Sequence, residues 1–123
     1  MTVGLQGQSR LTVGDDDTSI AFHSGDVPVL ATPRLVALLE EASLDALAGR
    51  LDDGQTTVGM RIQIDHLAPT GVGAEVRAIA TLDAVEGRRL TFSAEATEGD
   101  TPVASATITR VVVETSRFLE RVS

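Results

Sequence analysis

The sequence has no cysteine, no tryptophan and no tyrosine, and only three phenylalanines. Without cysteine there is no disulfide framework and no thiolate chemistry. Zinc sites built on cysteine are excluded as well. The two histidines are too few for a histidine-rich metal site, and neither a metal nor a cofactor is expected. No apolar run approaches the roughly 18 residues of a membrane span. The first ten residues lack the apolar centre of a signal peptide. A cytoplasmic protein with no membrane partner is the expectation. Lysine is missing too: all ten basic residues are arginine, against 18 acidic ones, for a formal net charge of −8. That balance argues against nucleic acid and against an anionic membrane surface. Arginine suits bidentate contact with phosphates, so an anionic small molecule stays open wherever a few arginines gather. Arginine usage set by genome composition is the plainer reading.

What is present suffices for a packed core. Hydrophobic residues make up 42% of the chain, and the length fits one domain over residues 1–123. With so few aromatics that core is aliphatic. Residues 10–24 read as an extended arm. Leu11 and Val13, then Ile20 and Phe22, flank an acidic turn at Asp15 to Asp17, as two short strands or a hairpin would. A loop over 25–31 follows. Thr32 then reads as an N-cap and Pro33 as a first helical residue. Leu35, Leu38, Leu39, Ala42 and Ala46 recur at helical spacing. Val36, Leu44 and Leu47 widen that face, so the helix is expected to be largely surrounded, ending near 49–53.

The period then changes to two. Val58, Met60, Ile62 and Ile64 alternate with polar or small residues, and His66 continues their face. Three more strands are expected at about 74–85, 90–98 and 103–113, separated by turns at 86–89 and 98–100. Hairpin turns make the sheet antiparallel. The expectation is an α+β hotdog architecture: an antiparallel meander of four strands wrapped around one long helix. Exposed strand edges want pairing, so at least a homodimer is expected.

Glu40 stands out on that helix. Its neighbours one turn away are Val36, Ala37, Ser43 and Leu44, none of them basic. A buried carboxylate must protonate or find a distant partner. An acid in an apolar groove is a candidate for chemistry; an acid that edges onto solvent is the plainer reading. His66 shares its strand face with Ile62 and Ile64, where a histidine is commonly a satisfied core residue. With Glu40 as its partner it would have a fixed tautomer and serve as a general base. Thr32, beyond capping, would lie at the positive end of the helix dipole. Gly59 reads either as a bulge or as a place where a ligand approaches the backbone. Arg88 and Arg89 stand at a hairpin tip, as phosphate contacts or as solvated charges.

Three stretches carry a resemblance to a known family: Ala31–Glu40, Gly59–His66 and Val85–Leu90. Together they resemble the fluoroacetyl-CoA thioesterase-like branch of the hotdog thioesterases, over roughly residues 8–115. The spacing of Thr32, Glu40 and His66, with Gly59 before the histidine, is its most specific part. The resemblance implies an acyl-CoA thioesterase with Thr32, Glu40 and His66 as catalytic residues. It also implies that Gly59 and Arg110 border the acyl pocket. It does not extend to the loop before the helix. The fluoroacetyl-CoA enzyme carries bulky aromatics there, whereas residues 25–30 hold none, so that substrate is not implied. The alternative is a non-catalytic module of the same fold that binds acyl-CoA or a small molecule. A hotdog hydratase or dehydratase is weaker, because its motif context is absent.

Overall fold

The computed structural model describes residues 1–122. One long helix, α1 (Thr32–Ala46), lies against a five-stranded antiparallel sheet. The strands are β1 (Gln6–Thr12), β2 (Gln55–His66), β3 (Glu75–Glu86), β4 (Arg89–Glu98) and β5 (Thr101–Glu114). A short helix, α2 (Thr115–Leu119), closes the described chain. The five residues expected from helical spacing, Leu35, Leu38, Leu39, Ala42 and Ala46, are all buried. They meet Val76, Ala78, Ala80, Leu82, Leu90, Phe92 and Ile108 in an aliphatic core that holds a single buried phenylalanine.

Two expectations change. The arm is one strand, β1, followed by a 3-10 turn at Asp15–Asp17, rather than two short strands. Ile20 and Phe22 lie in turns and stay 51% and 40% exposed. Nor do the strands after the helix form a four-stranded meander. The strand order is β1-β3-β4-β5-β2. Only β3, β4 and β5 are consecutive neighbours; the link over 67–74 carries the chain from one edge of the sheet to the far side. β2 therefore pairs with β5 alone.

The two edges of the sheet differ. The backbone of β1 runs directly against α1. The Gln8 amide donates to the Asp45 carboxylate at 2.9 Å, and the Ser9 hydroxyl donates to the Leu38 carbonyl at 2.7 Å. Gly7 permits this approach, since a Cβ there would overlap the backbone of Ala42 and Ala46. The helix lies over β1 and β3 and touches β2 and β5 little. Among the described residues the outer edge of β2 carries no partner strand, and Ile62, Ile64 and Ala106 on the inner face beside it are only partly buried.

Candidate active site

Thr32 does not cap its helix. Ala31 takes the cap position, no side chain caps, and Thr32 is the first helical residue. Its hydroxyl is free for another partner, and it finds one across the fold: Thr32 Oγ1 lies 2.8 Å from His66 Nδ1. The pair faces a cleft of about 370 Å³ that is otherwise mostly apolar, lined by Val29, Leu30, Leu67, Ala68 and Pro69 with Ser19. The other ring nitrogen, Nε2, is buried and has no hydrogen-bond partner among the described residues. A hydroxyl in contact with a ring nitrogen is the arrangement of a nucleophile and its base. Position at the first helical turn adds free amide N–H groups and the positive end of the dipole.

Glu40 is built differently. Its distant partner is Arg110, whose Nη1 donates to Glu40 Oε2 at 3.0 Å. The guanidinium is almost fully buried, with 7% of its side chain exposed against 36% for the glutamate. Arg110 Nε donates to Thr57 Oγ1 at 2.9 Å, and Nη2 donates to the Thr57 carbonyl at 3.0 Å. Gly59 lies against the carboxylate: a Cβ there would come within 2.9 Å of Glu40 Oε2. Glu40, Gly59, Met60, Arg61 and Ile62 line a second cleft of about 250 Å³.

The expected pairing of Glu40 with His66 is therefore not made within one chain. The reason is geometric. Thr32 and Glu40 are two helical turns apart, about 12 Å along the axis. Gly59 and His66 are separated by seven residues of β2, about 23 Å of extended chain. One end of the strand meets Thr32, and the other meets Glu40. The structure groups Thr32 with His66 and, separately, Glu40 with Gly59 and Arg110.

A β-bulge makes this division possible. Gly59 pairs with Arg110 and Arg61 with Thr109, so Met60 is the extra residue. Before it, Thr57 and Gly59 face the helix; after it, Ile62, Ile64 and His66 do. The inward residues of β5 confirm the switch, since Val112, Arg110, Ile108, Ala106 and Ala104 stand opposite these five. The expected face of Val58, Met60, Ile62 and Ile64 is thus broken in the middle, and Met60 is 50% exposed. Thr57 was not legible as a site residue: a strand threonine beside another threonine carries no signal. Arg88 and Arg89 sit exposed at the β3–β4 turn, where Arg89 pairs with Val111 beside Arg110. Among the described residues no cluster of three metal-ligating side chains occurs, and no helix is long and apolar enough to cross a membrane.

Comparison with known proteins points one way. A family model described as fluoroacetyl-CoA-specific thioesterase matches residues 13–116. The fluoroacetyl-CoA thioesterase of Streptantibioticus cattleyicolor is 36% identical over 94 residues, which are 76% of this chain and 68% of that protein. The crystal structure of the fluoroacetyl-CoA thioesterase FlK superposes with a TM-score of 0.93 at 30% identity, covering 99% of this chain and 95% of that one. A variant of FlK solved with fluoroacetate and CoA gives a TM-score of 0.89 at 31% identity, covering 96% and 99%. A hot-dog-like protein from Thermanaerovibrio acidaminovorans gives 0.90 at 29%, covering 99% and 90%. The fold is the α+β hotdog.

Proposed function

This chain belongs to the fluoroacetyl-CoA-specific thioesterase family, and from that premise we propose that it hydrolyses a small or medium acyl-CoA thioester to the free acid and CoA. The observation that carries the proposal is the 2.8 Å contact of Thr32 Oγ1 with His66 Nδ1 in an open cleft. His66 takes the proton of the attacking group, either the Thr32 hydroxyl or a water beside it. The C–S bond breaks, CoA leaves as its thiol with that proton, and water supplies the oxygen of the free acid, directly or by hydrolysing an acyl-threonine. The first turn of α1 supplies the positive field for the negative charge that develops on oxygen. No cofactor takes part.

The carboxylate comes from a second copy of the chain. The bare edge of β2 offers a row of unpaired backbone groups, and two such edges satisfy each other when they pair antiparallel about a two-fold axis. An axis at Gln63, with Met60 again the extra residue, sets Ile62 opposite the partner's Ile64 and Gly59 of one copy opposite the partner's His66. The Glu40 cleft of one copy then adjoins the Thr32–His66 cleft of the other. The Glu40 oxygen not held by Arg110 faces the dyad from the open side, where its charge stabilises the imidazolium that forms. The homodimer would hold two such composite sites.

The test is the purified protein against a panel of short, branched and aromatic acyl-CoAs, fluoroacetyl-CoA included, with free thiol as the readout. Turnover of at least one member is expected. Binding without thiol release on any member would make the protein a binding module instead. Consumption of an enoyl-CoA without thiol release would mark a hydratase.

A further inference from the structure

Glu40 is held at one oxygen by one group, so whatever orients Arg110 orients the acid. Arginine has a long, flexible side chain, and its planar head makes directional contacts only when the plane is fixed. Thr57 fixes it. Of the three guanidinium nitrogens, two donate to Thr57, one to its hydroxyl at 2.9 Å and one to its carbonyl at 3.0 Å. The third then points at Glu40 Oε2 at 3.0 Å. Thr57 is 6% exposed and stands two residues before Gly59 on the inward face, ahead of the bulge. Its hydroxyl is the only acceptor for the Arg110 Nε–H among the described residues.

We propose that Thr57 is a positioning residue for the thioesterase reaction: through Arg110 it holds one oxygen of Glu40 and leaves the other free for the reacting groups. Thr57 itself does not reach the substrate. The inference rests on Glu40 having the role proposed above. Without the hydroxyl, the Nε–H seeks another acceptor, the guanidinium plane turns, and the carboxylate moves with it. A misplacement of this kind acts on the chemical step more than on substrate binding.

The experiment compares Thr57→Val, which keeps the shape and removes the acceptor, with Thr57→Ser, which keeps the acceptor. On the acyl-CoA turned over best, Thr57→Val should lower kcat about tenfold with KM changed less than about twofold. Thr57→Ser should restore most of the rate. In a Glu40→Gln background, Thr57→Val should cost almost nothing further, because the group it positions is already disabled. Thermal melting checks that each variant is folded, and Thr57→Ala repeats the test should the valine variant melt below the assay temperature. A slow Glu40→Gln enzyme beside a fully active Thr57→Val enzyme overturns this inference alone. So does a loss in Thr57→Val that persists undiminished in the Glu40→Gln background. A fully active Glu40→Gln enzyme overturns the functional reading and this inference with it.

Discussion

At its first turn α1 presents a hydroxyl bonded to one imidazole, with solvent beside it; two turns later it presents a carboxylate strapped to a buried guanidinium. Among the described residues the side chains of Thr32 and His66 hydrogen-bond only to each other, and in the proposed reaction that contact breaks and reforms as a proton moves. Glu40 has its position set by a chain of three residues, Thr57, Arg110 and the glutamate itself, closed by Gly59. A group that exchanges a proton needs an open neighbour. A group that supplies fixed charge needs a rigid one. The helix keeps the two kinds of support apart, and the strand keeps them further apart still. A bare sheet edge lies between them.

The largest expected effect comes from breaking the open end. His66→Ala should lower kcat by about 10² to 10⁴, the range for losing a general base, with the melting temperature little changed because the ring packs at the end of β2. A preserved kcat would make His66 a core residue. A smaller effect separates the hydroxyl from the shape of Thr32. Thr32→Ser should retain most activity and Thr32→Val should lose at least about tenfold, since only serine keeps the partner of Nδ1. Equal rates for the two would remove the hydroxyl from the reaction. Both are read in the thiol-release assay.

The fold was legible where the cause is local. Helical spacing of Leu35, Leu38, Leu39, Ala42 and Ala46 names the buried face of α1 residue by residue. The turn at Gly87 and Arg88 and the one at Gly99 and Asp100 announce the β3–β4–β5 meander. Where the cause lies across the chain, the sequence was silent. The apolar alternation from Val58 to Ile64 runs straight through Met60, yet the bulge there reverses which residues face the helix. That reversal depends on pairing with β5, more than forty residues away. The neighbours of Glu40 along the helix show only that no base is local; Arg110, which satisfies it, is brought in by the sheet. Thr32 has the composition of a cap, but Ala31 occupies that position and the hydroxyl turns to His66. The place of β2 at the edge hides for the same reason. Chain order makes it a neighbour of β3, and only the link over 67–74 sends it to the far side.

The division of the site between two chains is the central claim, and mixing two disabled variants tests it directly. His66→Ala and Glu40→Gln are each expected to be nearly inactive alone. Co-expressed or refolded together, they form heterodimers in which one site holds the intact imidazole of one chain and the intact carboxylate of the other. With random assortment, half the dimers are mixed and one site in each is whole. Activity should therefore recover to about a quarter of the unmutated enzyme. If the mixture shows no more than the sum of the two variants while mass analysis confirms that heterodimers are present, each site draws both groups from one chain and the account is wrong.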